Sequence, residues 1–142
     1  PGVVALAWTN DKNDPQYDYC QKTYKVLKNE LDAQGRNFKI HKILLPKPQY
    51  MTLNEAKSIS KDKRYNPKER LANSRLAASY INFYQGKDFV IMPAFDDPND
   101  VLAYKQISSL YPDKKVIQLN TREILLGGGN IHCITMQIPE KE

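Results

Sequence analysis

Apolar residues fall into short runs along this chain, and their spacing changes from run to run. Val3–Trp8 (VVALAW) is a continuous apolar stretch that predicts a buried strand. A polar stretch follows and ends in Asp14–Pro15. An aspartate can accept from the orphan amides of a helix start, and proline suits the first helical position. Tyr17, Cys20, Tyr24, Leu27 and Leu31 then recur at steps of three and four, one stripe of a helix. Gly35 is placed to stop that helix. Phe38–Leu45 predicts the next strand, with Phe38, Ile40 and Leu44 on one face. Pro46 and Pro48 close it, because proline cannot donate to a ladder.

The pattern returns further on. Leu76–Tyr84 (LAASYINFY) and Phe89–Phe95 (FVIMPAF) predict a strand pair around a Gln85–Asp88 turn. Asp97–Pro98 starts a second helix, with Ala103, Ile107, Leu110 and Tyr111 as its buried stripe and Pro112–Asp113 as its stop. Lys115–Leu119 is a strand. The closing stretch, TREILLGGGNIHCITMQIP, predicts a loop and a terminal strand beginning at Cys133. Two units of strand, Asp-Pro-started helix and strand therefore occupy about 1–46 and 76–139. The class is α/β. Repeat architectures bury their faces by stacking more than two units. Together with a first residue that is proline rather than methionine, this leads us to expect further sequence upstream.

Composition narrows the partners. The chain has 142 residues, 41% of them apolar and 26% charged, with a mean hydropathy of −0.63. These values fit a globular domain, and no apolar run is long enough to cross a bilayer. No secretory leader is visible, so we expect a cytoplasmic protein without membrane association. The net charge is +5, and the whole excess lies in residues 57–75, which include Asn66–Pro67. With Tyr65 as its one aromatic residue it is not an aromatic-interleaved basic stripe, and no recognised nucleic-acid motif accompanies it. It reads as a solvated loop, and we expect no nucleic-acid partner.

The two cysteines sit in different settings. Cys20 lies on the helical stripe and reads as a small buried apolar side chain. Cys133 follows Gly127–Gly128–Gly129–Asn130–Ile131–His132. Three glycines permit positive φ and let another group approach the backbone. A thiol there, beside exposed amides, is a candidate nucleophile, with an incidental cysteine after a turn as the alternative. The glycines lack a P-loop or dinucleotide signature, so phosphate is not the expected ligand. His132, adjacent on a presumed strand, would face away from the thiol and is a poor base for it. His41 reads as a core or edge histidine. Two His and two Cys without a close pair give no metal site.

At this point the residues become specific. REILLGGGNIHCITMQIP, with VVALAWTNDKNDPQY, DAQGR…LPKP, RLAASYINFY and FDDPND, resembles the C-terminal part of agmatine deiminases, co-linearly from Pro1 to about Pro139. The wider family includes bacterial peptidylarginine deiminases, within the guanidine-modifying superfamily. The resemblance implies a five-bladed α/β-propeller of ββαβ units, of which this chain holds the last two blades. It implies hydrolysis of the agmatine guanidinium to N-carbamoylputrescine and ammonia, in polyamine biosynthesis, without metal or organic cofactor. Cys133 falls on the nucleophile position. Asn82 falls on a strand lining the site, where it would orient the substrate or the thiol. Gly128, Gly129 and Asn130, on the bend before the thiol, are further substrate-contact candidates.

The departures bear on activity. No His-x-Asp motif is present, and the family's gripping carboxylates and acid–base histidine match positions before Pro1. Met136 stands where relatives commonly have a glutamine. These residues alone are therefore expected to be inactive without the N-terminal blades of the same protein. A peptidylarginine deiminase acting on C-terminal arginine, and a non-catalytic binding module, stay open as alternatives, as does homo-oligomer formation.

Overall fold

The computed structural model describes residues 2–59 and 70–138. Most of the basic run, including Asn66–Pro67, lies outside the described residues, as do Pro1 and residues 139–142. Strand β1 (Val3–Trp8) is followed by helix α1 (Gln16–Asn29) and strand β2 (Lys39–Leu44), which pairs with β1 in parallel from Val3↔Lys39 to Trp8↔Leu44. After a short helix α2 (Leu53–Ser58) come strand β3 (Tyr84–Gln85), strand β4 (Phe89–Ala94), helix α3 (Asp100–Leu110) and strand β5 (Lys115–Asn120). The second sheet has the order β3-β4-β5, with β3 antiparallel and β5 parallel to β4. Helix α4 (Arg122–Leu126) and a 3-10 turn (His132–Ile134) complete the order. The second unit is thus ββαβ and the first βαβ. Among the described residues no helix is long and apolar enough to cross a membrane.

The two Asp-Pro pairs work alike. Asp14 Oδ1 accepts from the Gln16 amide at 2.9 Å, and Asp97 Oδ1 accepts from the Asn99 amide at 2.8 Å. Each satisfies an orphan donor just before its helix. Asp14 also receives both arms of Arg75, the second at 2.8 Å, which holds its carboxyl below the usual range.

Two cores result. Leu6, Trp8 and Cys20 are buried between the first sheet and α1, with Tyr24, Leu27, Ile40 and Leu45 packed on them. Lys42 Nζ lies 3.6 Å from the Trp8 ring centroid, a cation–π contact on the rim of this cluster. The larger core joins Ile43, Met51, Leu76 and Tyr80 to Val90, Met92, Phe95, Ala103, Ile107, Val116, Leu125 and Leu126. Ile43 is its contribution from the opposite face of β2, so β2 is covered on both faces. The sequence reading put the apolar face on Phe38, Ile40 and Leu44 alone. Leu31 is exposed, because the helix stops at Asn29 and Glu30 is already extended. Gly35 instead serves the following turn, at φ +74°.

The units meet through side chains that stand in for a strand. Gln106 of α3 accepts from the Leu44 amide at 3.0 Å and donates to the Lys42 carbonyl at 3.2 Å. Asn99 donates to Leu45 O at 2.9 Å, and Asp97 accepts from the Lys47 amide at 3.0 Å. Two backbone groups of β2 and two just beyond it are thereby satisfied by side chains.

Two expected strands are corrected. Leu76–Tyr84 is strand at Tyr84 alone. Leu76 and Tyr80, four residues apart, take the buried positions, and the backbone turns at Ser79–Asn82 through the Asn82 amide and Ser79 O. No terminal strand begins at Cys133. Its amide bonds Asn130 O at 2.9 Å and the Thr135 amide bonds His132 O at 3.1 Å, which closes a 3-10 turn. Ile134, Met136 and Ile138 beyond it are exposed.

Candidate active site

Cys133 is held by three pieces of chain. α4 supplies the approach, with Leu125 and Leu126 buried in the larger core. The helix ends in Gly127, whose amide bonds Ile124 O at 3.0 Å, while the Gly128 amide bonds Leu125 O at 2.9 Å. Gly128 turns the chain at φ +94°, a conformation a side chain would strain. Gly129 is needed for space. A Cβ there would lie 2.7 Å from Cys133 Cβ and 3.0 Å from its sulfur. The glycines therefore do admit close approach, and the groups that come close are this chain's own thiol and Arg70. Arg70 donates to Gly127 O at 2.9 Å and lies against Gly128, where a Cβ would meet its guanidinium at 2.2 Å.

The thiol is exposed. Asn82 donates its side-chain amide to Cys133 Sγ at 3.2 Å, and its carbonyl accepts from the His132 amide at 3.3 Å. A backbone hydrogen bond from Asn130, more than any other cause, and the Asn82 amide hold the thiol below its ordinary pKa, against a small opposing effect of desolvation. Both favour the thiolate, because a hydrogen bond to the charged form stabilises it. The polarising groups are neutral amides, in keeping with the exposed amides expected beside the thiol. His132 and Cys133 also sit on a turn of three residues per repeat rather than on opposite faces of a strand.

The structure thus brings Asn82, Gly129, Asn130 and Cys133 together, with Gly128 one residue removed. Asn130 acts through its backbone. Its side chain is wholly buried, Oδ1 accepting from the Ile131 amide at 2.8 Å and Nδ2 finding no protein partner. Cys20 lies far along the chain in the smaller core, its thiol donating to Ala7 O at 3.3 Å. Among the described residues no group of three or more His, Cys, Asp or Glu could hold a metal ion.

Three residues that support this site escaped the sequence reading. Arg122 opens α4 and forks onto Glu55 of α2, and Arg70 packs on the bend. The pattern Thr52–Leu53–Asn54–Glu55 is a capping-box signature that marks α2, and both of its reciprocal bonds form. It is hard to see beside the basic run.

An α/β chain that turns a polarised thiol outward on a triple-glycine bend defines a class of cysteine-bearing domain, and comparison identifies it. The model of the Porphyromonas-type peptidyl-arginine deiminase family matches residues 1–139, and the chain belongs to that family. Within it, a Listeria monocytogenes protein bearing the provisional name agmatine deiminase 1 is 51% identical over 139 residues, covering 98% of this chain and 38% of that protein. The agmatine deiminase of Pseudomonas putida is 46% identical over 139 residues, 98% of this chain and 37% of its own. The solved agmatine deiminase of Enterococcus faecalis superposes with a TM-score of 0.89 at 39% identity, over 99% of this chain and 38% of that one. The chain therefore spans well under half the length of these relatives.

Proposed function

We propose that this chain is the C-terminal part of one catalytic domain, a five-bladed propeller whose last two blades are about 1–46 and 76–139, with the basic segment 57–75 between them. The whole protein hydrolyses the guanidinium of agmatine with Cys133 as nucleophile. The observation that carries the reading is the exposed sulfur with the Asn82 amide 3.2 Å away.

The chemistry asks for such a thiol. A guanidinium carbon is flat and resonance-stabilised, so it needs a strong nucleophile held at close range. The Cys133 thiolate adds to that carbon. One C–N bond breaks as its nitrogen takes a proton, and ammonia leaves an amidino-thioether on the sulfur. Water then adds to the same carbon, the C–S bond breaks, and N-carbamoylputrescine departs with the thiolate restored. Amides from Asn82 and Asn130 lower the cost of the thiolate at both ends of this cycle. The cationic substrate favours it further. The proton carrier and the carboxylates that grip the guanidinium come from upstream blades, so the 142 residues alone are inactive.

The test is direct. In the full-length protein, iodoacetamide or a haloacetamidine should label Cys133 much faster than Cys20, and Cys133→Ala should remove turnover. Equal, slow labelling of both thiols would leave a non-catalytic binding module. A second reading, a peptidylarginine deiminase acting on C-terminal arginine, draws on the name of the matching family. Identity near 50% to proteins named for agmatine favours the first. Release of N-carbamoylputrescine from agmatine, against citrulline from a peptide ending in arginine, separates the two.

A further inference from the structure

Arg122 has an unusually complete set of partners for a partly exposed side chain. Its Nε donates to Glu55 Oε1 at 2.7 Å and its Nη2 to Glu55 Oε2 at 2.8 Å, a two-armed fork on one carboxylate. Nη2 also reaches Tyr50 O at 2.7 Å, and Nη1 reaches Gln49 Oε1 at 3.1 Å. Glu55 is itself oriented, because its Oε2 accepts from the Thr52 amide at 2.7 Å. A lone exposed ion pair contributes little. This one is set among a carboxylate, an amide oxygen and a backbone carbonyl, a partner set that the forked donors of a guanidinium match and a lysine ammonium does not.

What the fork joins is the point of interest. On one side, residues 49–51 are laced to 73–76. The Leu76 amide bonds Gln49 O at 2.8 Å, the Met51 amide bonds Ser74 O at 3.0 Å, and the Asn73 amide bonds Met51 O at 2.8 Å. That second segment runs on to Asn82, whose amide meets the sulfur. On the other side, Arg122 is the first residue of α4, five residues long, which runs straight into the glycine bend, Asn130 and Cys133. The two donors that favour the thiolate thus arrive on separate stretches of chain. Arg122 ties the carriers of those stretches together.

We infer that Arg122 is a positioning residue for the nucleophile, its fork on Glu55 holding the Asn82 carrier and the Cys133 carrier in register so that both amides meet Sγ. This rests on Cys133 being the nucleophile. The action is geometric, through the fork, and not a matter of positive charge near the thiolate. Lysine keeps the charge and loses the fork, so it should fail.

The experiment measures the rate of Cys133 alkylation by iodoacetamide against pH in the full-length protein, for wild type, Arg122→Lys, Arg122→Ala, Glu55→Gln and the Arg122→Ala/Glu55→Gln double variant. In each single variant the titration midpoint should move upward and the rate at neutral pH should fall about tenfold, the scale of one hydrogen bond to a charged group. The double variant should be no worse than the poorer single, since the two act as one unit. Turnover of agmatine should fall by a similar factor with KM little changed. If Arg122→Ala does not fold, Arg122→Lys and Glu55→Gln carry the test. Wild-type pH profiles in all variants, with only the melting temperature lowered, would mean a merely structural pair and overturn the proposal, as would full rescue by lysine. A wild-type Cys133 no more reactive than Cys20 would instead overturn the nucleophile reading, and the clamp with it.

Discussion

Cys20 and Cys133 carry the same thiol into opposite surroundings. Cys20 is buried on α1 against β1, and the nearest polar group, Ala7 O, accepts its hydrogen. Cys133 is exposed on a 3-10 turn, and its neighbours donate: the Asn130 backbone and the Asn82 side chain. The lesson is that amide donors mark Cys133: Asn82 Nδ2 reaches its sulfur at 3.2 Å, closer than Asn82 Oδ1, to which the thiol can itself donate at 3.7 Å. A donor aimed at sulfur stabilises thiolate, whereas an acceptor holds the proton in place.

The sharpest way to break this contrast is to move Cys133. Gly129→Ala puts a methyl 2.7 Å from Cys133 Cβ, and bend and sulfur must separate. If Cys133 is the nucleophile, alkylation and turnover of the full-length protein should fall about 100-fold, the cost of an ångström-scale misplacement at a reacting centre. Wild-type rates would show that the bend does not set the thiol's position. A smaller loss, about tenfold, is expected for Asn82→Ala, which removes one donor to a charged sulfur. Its alkylation midpoint should rise, because less remains to favour the thiolate. Asn82→Asp should raise it further by placing a carboxylate beside the sulfur. A midpoint unmoved in both would mean that the Asn130 backbone acts alone.

How much of this was legible in the sequence follows from how local each signal is. β1, β2, β4, β5, α1 and α3 were readable because each buries its own short-range pattern, and Asp14 and Asp97 announced their helices two and three residues ahead. Leu76–Tyr84 misled because its apolar residues serve a turn that sends Tyr80 inward. There the phenol donates to Asp100 at 2.6 Å, an acceptor 20 residues away. The end of the chain misled for a related reason. Strand formers follow Cys133, yet the Asn130 carbonyl captures its amide and curls the backbone. Cys133 itself stood out through the glycines before it. Its pairing with Asn82 spans 51 residues, and no periodicity reports contacts of that range.

Cys20 offers the control. Cys20→Ala in the full-length protein should cost on the order of 1 kcal/mol of stability, the usual scale for a small packing loss. It should leave the pH profile of Cys133 alkylation where it was, since distant sites with no shared partner act independently. A shifted Cys133 profile would show that the two thiols are coupled through the cores and that the contrast is not one of local surroundings.

The smallest expected effect concerns acid. Glu55 is held at a pKa of about 2, against an ordinary 4.5, chiefly by the Arg122 fork and then by the Thr52 amide. A depressed carboxylate contributes its stability above the unfolded pKa and loses it as pH falls through the folded one. The contribution of Glu55 should therefore be complete above about pH 4.5 and gone near pH 2. The pair is partly exposed, so its size should stay below about 1 kcal/mol. Hydrogen exchange locates it. Comparing wild type with Glu55→Gln, protection of the α4 amides should differ above pH 4.5 and converge near pH 2. The α1 amides, on the helix that carries Cys20, should not distinguish the two proteins at any pH, since Asp14 and Arg75 anchor that helix and remain in both. Convergence at a higher pH, or a Glu55-dependent change on α1, would mean that the two cysteine scaffolds do not respond to acid separately.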